Sequence, residues 1–214
     1  MKITLLCTDD KHPVNAHLDD WIQRNKDSHE ISLIRRRDEL HGGDLLFLVS
    51  CSELIRFEER MRYHSSLVIH ASNVPQGRGW SPHIWRILEG EREITVTLLE
   101  AEDSVDSGRI WHQIKFTVSP DALWNEINAN LFAAELGLID YAVNHYHAIT
   151  PREQNPIIEP TYYPRRTPKD SRIDPSKTLE SQFNKIRVCD PIRFPAFFDL
   201  HGHRYKITLE KIYD

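Results

Sequence analysis

Short apolar runs alternate with amphipathic segments over the first two thirds of the chain. Many of these runs are rich in β-branched and aromatic residues, as strands are. The runs are Lys2–Cys7, His29–Ile34, Asp44–Val49, Ser66–His70, Glu93–Leu99 and Ile110–Val118. Between the first two runs, Leu18, Trp21 and Ile22 recur at helical spacing, so the chain is predicted to open as strand, loop and helix.

A long helix is predicted over Pro120–Tyr146, after the last of these strands. Its apolar face is formed by Leu123, Ile127, Leu131, Ala134 and Leu138. A shorter helical pattern, HIWRILEGE, precedes the strand Glu93–Leu99. Strands that alternate with helices in this way predict an α/β fold with a doubly wound, mostly parallel, Rossmann-like sheet.

The composition changes after His147. The segment ITPREQNPIIEPTYYPRRTPKDSRIDPSK is dense in proline and charge, which predicts an extended connection with little regular structure. A short C-terminal helix over Thr178–Val188 and a terminal β-hairpin follow, the hairpin formed by FFDL, the turn HGH and RYKITLEKI. We therefore expect a main domain over residues 1–150 and an appendage over residues 151–214.

Charge and composition narrow the classes of function. The 214 residues carry a formal net charge of -5 and a sequence pI of about 6.2, which argues against a protein that binds nucleic acid mainly by neutralising phosphates. No apolar run approaches the length of a membrane span, and a strand follows Met1 directly, so a cytoplasmic protein without a membrane partner is expected. Cys7, Cys51 and Cys189 lie far apart and are expected to be free thiols.

Two segments hold candidate catalytic groups. In VIHASNVPQGRGWSP, His70 stands where an apolar strand meets a glycine-containing loop, at the sheet edge where open α/β folds bind ligands. In SVDSGRI, Asp106 follows the strand Glu93–Leu99 and is expected at the same edge. A carboxylate beside an imidazole fixes its tautomer and stabilises its protonated form. Taken singly, a histidine at a strand end and a D-S-G turn are more often structural.

The two segments together resemble the folate-dependent formyltransferase family. That family carries H-x-S-x-x-P-x-x-R-G-x-x-P followed by D-x-G, matched here by His70, Ser72, Pro75, Arg78, Gly79, Pro82, Asp106 and Gly108. Downstream, YYPRRTPKDSRID, FNKIRV and FPAFFDLHGHRYKI resemble the tail of sugar-nucleotide N-formyltransferases. GRGWSPHIWRILEG resembles the branch that acts on UDP-linked 4-amino-4,6-dideoxy sugars of the pseudaminic-acid type.

The resemblance implies a reaction and a co-substrate. The amine of a nucleotide-linked sugar, UDP- or dTDP-linked, would attack the formyl carbon of N10-formyltetrahydrofolate directly, without a metal, in the biosynthesis of surface polysaccharide. His70 would take the amine proton or stabilise the oxyanion, with Asp106 orienting it. Main-chain groups near two strand ends would bind the folate, at Phe47, Val49, Ser50, Cys51, Glu100, Glu102 and Val105. Relatives often pair through the tail, so a homodimer is implied.

One position departs from the family pattern. The family has an asparagine two residues before the histidine, which donates a hydrogen bond to the formyl oxygen, and this chain has Val68 there. Loss of such a donor typically costs roughly 100-fold to 1000-fold in rate. Asn73, with Ser72 as a further candidate, is the predicted replacement.

The remaining candidates concern the amine substrate. Guanidinium groups pair with phosphate in bidentate geometry, and aromatic rings stack on bases and sugars. The candidates are Ser72, Arg78, Gly79, Trp80, Arg165 and Arg166, with Trp85 as a further stacking ring. A structural role is open for each: Arg78 could tie the loop to its own helix, the arginine pair could be solvated, and the tryptophans could be core residues.

Four other functions fit parts of the sequence less well. The pairs His145 with His147 and His201 with His203 have metal-ligand spacing but no convincing third ligand. A formyltransferase-fold protein that binds folate or sugar nucleotide without catalysis would explain Val68. Formylation of methionyl-tRNA is disfavoured by the acidic charge and the lack of a barrel domain, and that of glycinamide ribonucleotide by the sugar-type tail.

Overall fold

The protein is described by a computed structural model over residues 1–212. The strands are β1 (Lys2–Leu6), β2 (Glu30–Ile34), β3 (Gly43–Leu48), β4 (Tyr63–His70), β5 (Arg78–Gly79), β6 (Glu93–Glu100), β7 (Ile110–Thr117), β8 (Tyr162–Tyr163), β9 (Ala196–Leu200) and β10 (His203–Ile207). The helices are α1 (Val14–Asn25), α2 (Phe57–Arg60), α3 (Pro82–Leu88), α4 (Trp124–His145) and α5 (Leu179–Arg187), with 3-10 turns at Arg37–Glu39 and Pro168–Ser171.

Six strands form the central sheet in the order β2-β1-β3-β4-β6-β7. The first three pairings, from β2 to β4, are parallel, whereas β4–β6 and β6–β7 are antiparallel. The sheet is therefore mostly parallel, and the predicted α/β class is confirmed. β2 lies on one side of β1 and β3 lies on the other, so the strand order reverses between β1 and β3. Ligands of open α/β folds bind at such switch points.

The main core lies between the sheet and the two long helices. Leu18 and Trp21 of α1 and Leu131 and Leu138 of α4 pack on inward residues of the sheet such as Phe47. The predicted apolar face of α4 is confirmed, because all five of its residues are buried. A hydrogen bond of 2.6 Å from the Trp21 indole to the Asp140 carboxylate joins the two helices.

The helix α4 is shorter than predicted. It begins at Trp124 rather than Pro120, because residues 120–123 form a turn and the Leu123 N–H is bonded to the Glu126 carboxylate in a capping box. It ends at His145, one residue before the predicted Tyr146.

The proline-rich connection is mostly irregular, as predicted, but it is closely bound to the rest of the protein. Its two-residue strand β8 pairs in parallel with β5, which lies in the loop after His70. Farther on, Arg187 of α5 donates to the carbonyls of Ser119 and Ala122, which attaches the C-terminal helix and hairpin to the main core. The division of the chain at residue 150 stays a prediction.

Candidate active site

The loop after β4 is fixed to the sheet at its first residues. Ser72 N–H donates to the His70 carbonyl at 2.9 Å, and the Thr97 hydroxyl donates to the Ser72 carbonyl at 2.6 Å. Thr97 lies opposite His70 in the β4–β6 pairing. His70 is thus the last residue of a central strand and is held rigidly, which suits a catalytic group.

His70 and Asp106 are in contact, although β6 runs antiparallel to β4 and the two strands therefore end at opposite edges of the sheet. The His70 Nδ1 atom lies 3.5 Å from Asp106 Oδ2, and both side chains are more than nine-tenths buried. On its other side, His70 Nε2 lies 2.8 Å from the Gly77 carbonyl, which can only accept, so Nε2 carries a proton in this contact. Both ring nitrogens therefore face acceptor oxygens.

Asp106 is positioned by backbone and side-chain contacts from three segments. Its Oδ2 accepts from the Gly79 N–H at 2.9 Å. Its backbone has a φ of 53°, a left-handed conformation that aspartate tolerates better than most residues. The Gln154 amide, from the proline-rich connection, donates to the carbonyls of Asp106 and Gly108 at 2.8 and 2.9 Å.

The two motif glycines are required by close backbone approach. A Cβ at Gly108 would lie 2.0 Å from the Glu100 carbonyl oxygen, so any other residue would push the Asp106 loop off β6. A Cβ at Gly79 would lie 2.5 Å from the Tyr163 carbonyl oxygen, and the φ of Gly79 is +93°. These glycines let the His70 loop, the Asp106 loop and the connection pack together.

The position of the missing family asparagine is apolar. Val68 is partly buried and packs with Cys51 and Ala101 on a cluster formed by Leu6, Ile34, Leu40, Leu46, Leu48, Ile55 and Tyr63. Asn73 is exposed, and its Oδ1 accepts from the Gln113 amide at 3.1 Å. Gln113 also donates to Thr97, so the Asn73 side chain is oriented from the end of the sheet, with its own NH₂ group left as a donor.

The predicted folate-binding residues have diverse surroundings. Phe47 and Val49 are fully buried in the main core, so only their backbone groups are left for a ligand. Ser50 has a φ of 47° and its hydroxyl lies 3.3 Å from His12 Nε2. Burial raises the pKa of the Cys51 thiol to about 11.

Three of the predicted folate residues belong to the segment between β6 and β7. Glu100 pairs with Arg109 at 2.7 Å, and Val105 is half-exposed. Glu102 lines a cavity of about 420 Å³ beside the Asp106 loop, with Asp103, Ser104, Ser107, Gly108, Arg109 and Glu153.

The predicted substrate residues separate into engaged and accessible groups. Arg78 donates to Gln154 at 2.7 Å and to the Tyr162 hydroxyl at 3.1 Å, so it ties the loop to the connection rather than to its own helix. Ser72 is buried. Trp80 is 39% exposed, and the Arg165 guanidinium lies 4.7 Å from the centre of its ring. Trp85 donates to the Pro164 carbonyl at 3.1 Å.

No group of three or more metal-ligating side chains exists among residues 1–212. His145 of the first candidate pair is bonded through Nδ1 to the Tyr141 carbonyl at 2.9 Å and stacks on the Tyr141 ring. Over the same residues, no helix has the length and apolarity needed to cross a bilayer. The three cysteines are free, with Cys7 and Cys189 buried.

Comparison with known proteins places this site in a family. Residues 9–139, more than half of the chain, match the family described as formyl transferase. The chain belongs to the formyl transferase family. A methionyl-tRNA formyltransferase of Synechococcus sp. (strain JA-3-3Ab) is 30% identical over 142 residues, which cover 65% of this chain and 43% of that protein. The chain therefore spans less than half the length of this family member.

Solved structures show the same fold at low identity. Methionyl-tRNA formyltransferase from Clostridium thermocellum superposes with a TM-score of 0.80 at 21% identity, covering 100% of this chain and 94% of that one. A 4-N formyltransferase from Francisella tularensis gives 0.76 at 18%, covering 99% and 98%. HypX from Aquifex aeolicus, in complex with tetrahydrofolic acid, gives 0.79 at 23%, covering 95% of this chain and 36% of that one.

Several residues that shape the site escaped the sequence analysis. Gln154 lies in a segment predicted to be irregular, and no local pattern marks it. Thr97 and Gln113 lie on strands whose alternation was read only as secondary structure. Thr97 lies opposite His70 and Gln113 lies opposite Thr97 across two antiparallel pairings, and this register cannot be read from any one of the strands alone.

Proposed function

We propose that this protein is an N-formyltransferase that transfers the formyl group of N10-formyltetrahydrofolate to the amine of a nucleotide-linked 4-amino-4,6-dideoxy sugar. The family membership supports formyl transfer. The likeness to a sugar N-formyltransferase from Shewanella sp FDAARGOS_354, which covers 100% of this chain and 99% of that one and so includes the tail, supports a sugar acceptor. The net charge of -5 also favours a small acceptor over a tRNA.

The buried His70–Asp106 pair is the observation that carries this proposal. Formyl transfer forms a bond between the amine nitrogen and the formyl carbon, develops negative charge on the formyl oxygen and breaks the bond from that carbon to N10. His70 lies between the Gly77 carbonyl and the Asp106 carboxylate; its imidazole would take the proton that the attacking amine loses, become positively charged, and return the proton to N10 as that bond breaks. Asp106 balances that charge, and burial strengthens the interaction by excluding water.

The remaining donor is assigned to Asn73. Its amide oxygen is held by Gln113, which turns the amide nitrogen away as a free hydrogen-bond donor. Such a donor would replace the family asparagine whose position is taken by Val68. If no group supplied it, the protein would bind its ligands without efficient catalysis, which is the alternative function.

The folate site is assigned to the segment between β6 and β7 and to the end of β3. A pterin is a flat array of hydrogen-bond donors and acceptors that main-chain groups bind well. The cavity beside Asp106 is lined mostly by polar residues of this segment, whose main-chain groups could bind it. Gly108 keeps the backbone of this segment close to β6. The backbone from Phe47 to Cys51 would contribute from the neighbouring strand end.

The assay that tests the function uses the purified chain, N10-formyltetrahydrofolate and a set of UDP- and dTDP-linked 4-amino-4,6-dideoxy sugars. Mass spectrometry should detect the mass of one added formyl group on a sugar. His70→Asn, of similar size, should lower turnover by about 100-fold to 10,000-fold, the usual contribution of an acid–base group.

Three outcomes would contradict the proposal. Turnover unchanged in His70→Asn would remove His70 from the mechanism. Binding of both ligands with no formylated sugar would favour the non-catalytic alternative. Formylation of methionyl-tRNA in a parallel reaction, without formylation of any sugar, would transfer the function to that of the Synechococcus protein.

A further inference from the structure

The end of the loop after β4 lies along the proline-rich connection. The Gly77 N–H donates to the Thr161 hydroxyl at 2.8 Å, and the Arg78 N–H donates to the Thr161 carbonyl at 2.9 Å. Two residues farther on, the Trp80 N–H donates to the Tyr163 carbonyl at 3.1 Å. Thr161 therefore binds two successive N–H groups of the loop, one through its side chain and one through its backbone.

The opposite side of the same backbone faces His70. The Gly77 carbonyl lies 2.8 Å from Nε2 of His70, in a buried contact. The carbonyl of Gly77 and the N–H of Arg78 belong to one planar peptide group. That peptide group therefore links Thr161, which accepts its N–H, to His70, which its oxygen contacts.

Gly77 needs such contacts to hold one orientation. Its φ is +73°, and a Cβ there would lie 3.0 Å from the Cβ of Ser72 and 3.2 Å from the ring of Tyr163. The position thus requires glycine, which is the residue with the greatest backbone freedom. The direction of its carbonyl is set by the groups that bind the neighbouring N–H groups, and both of these groups belong to Thr161.

The direction of this carbonyl decides where His70 carries its proton. A carbonyl oxygen can only accept, so the Nε2 atom beside it is protonated. A neutral imidazole carries one proton, which leaves Nδ1 with a lone pair. Nδ1 lies 3.5 Å from Oδ2 of Asp106, and the Gly79 N–H donates to that oxygen at 2.9 Å. The negative charge of Asp106 therefore stabilises a proton that arrives at Nδ1.

We propose that Thr161 is a positioning residue, which acts through the peptide after Gly77 to keep the proton of neutral His70 on Nε2 and to leave Nδ1 as the proton acceptor. The catalytic use of this tautomer rests on the proposed function. In that reaction Nδ1 takes the proton that the attacking amine loses and returns it to N10 as the bond from N10 to the formyl carbon breaks. The other tautomer would have no lone pair at Nδ1 and would turn the lone pair of Nε2 towards a carbonyl oxygen.

The tautomer of His70 is measured without substrate by long-range ¹H–¹⁵N correlation NMR at about pH 9, where histidines are ordinarily neutral. Signals that are missing from His70→Asn belong to His70. The native chain should show a protonated Nε2 and an unprotonated Nδ1. Thr161→Val keeps the size of the side chain but removes the hydroxyl, and it should raise the population of the other tautomer about threefold to tenfold, the value of one hydrogen bond.

Two further variants separate the hydroxyl from general effects. Thr161→Ser retains a hydroxyl and should keep the native tautomer. Thr167→Val makes the same change in the same connection, where the hydroxyl donates to Asp170, and should also keep it. In the formylation assay, kcat of Thr161→Val should fall by about threefold to tenfold with KM changed by less than about twofold. Thr161→Ala removes the same hydroxyl and serves if circular dichroism shows that Thr161→Val does not fold.

A protonated Nδ1 in the neutral native chain would overturn the proposal. So would a tautomer that is unchanged in Thr161→Val, or one that changes equally in Thr167→Val. A native tautomer that depends on Thr161, in a chain that formylates no sugar, would keep the positioning role and reject only the proposed function.

Discussion

At the scale of single residues, the geometry of Asp106 combines a charge requirement with a backbone requirement. Its carboxylate faces His70 and accepts the Gly79 N–H, while its backbone has a positive φ of 53°. Positive φ is costly for most residues and least so for glycine, asparagine and aspartate. Substitutions at position 106 can therefore test the negative charge and the positive φ separately.

Asp106→Asn should retain the fold and lose activity. Asparagine tolerates positive φ and its Oδ1 can accept from Gly79, so the melting temperature should stay close to that of the native chain. The negative charge opposite His70 disappears, and turnover should fall by at least about 100-fold. Asp106→Ala, which also loses the Gly79 bond, should lower both turnover and melting temperature. Near-native turnover in Asp106→Asn would show that the charge is not used.

At the scale of elements, the proline-rich connection acts as part of the active site. β8 pairs with β5, the Thr161 hydroxyl accepts from the Gly77 N–H at 2.8 Å, and Gln154 bridges Arg78 to the Asp106 loop. An irregular segment satisfies its backbone groups through such contacts rather than through regular structure. The loops that carry His70 and Asp106 are thus held from outside the sheet.

Gln154→Ala should loosen the Asp106 loop without unfolding the protein. It removes two hydrogen bonds to loop carbonyls and the partner of Arg78, and kcat should fall by about tenfold, because loosening of the loop would raise the barrier by about 1.4 kcal/mol. Amide hydrogen exchange over residues 104–108 should become faster. This local change would not be seen if Gln154 only stabilised another part of the protein. Gln76→Ala, at an exposed glutamine of the His70 loop, is the matched control. Unchanged exchange over residues 104–108 would contradict the positioning role.

At the scale of the whole molecule, the sequence was sufficient to predict the α/β class and the mostly parallel sheet. The contact between His70 and Asp106 does not follow from strand order, because β4 and β6 are antiparallel and their carboxyl ends point to opposite edges of the sheet. The segment between β6 and β7 brings Asp106 back to His70. The pairing of β5 with β8 could not be predicted, because two-residue strands have no periodicity and are 84 residues apart between Arg78 and Tyr162. Gln154 was missed for the same reason, because tertiary contacts and not local patterns define its role.

The core between α4 and the sheet contains an ionisable group that should make stability depend on pH. Glu135 is 7% exposed, its Oε2 has no partner within residues 1–212, and burial raises its pKa to about 8 from 4.5. Between these values the folded protein holds a proton that the unfolded chain releases, so stability falls as pH rises. The buried histidines His12 and His83 have lowered pKa values and act in the opposite direction, but only below about pH 6.5.

Glu135→Gln should therefore remove a loss of stability between about pH 4.5 and 8. In the native chain this single proton contributes a decrease in the free energy of unfolding of up to about 1.4 kcal/mol per pH unit. Glutamine is neutral and nearly isosteric, so the variant should match the native chain near pH 5 and exceed it at pH 8. Urea unfolding at intervals across this range gives both curves, and histidine contributions cancel in their difference. If the stability of the native chain and of the variant changed with pH in the same way, Glu135 would be ionised in the folded protein. An ionised carboxylate has no proton to lose over this range and so could not make stability fall as pH rises.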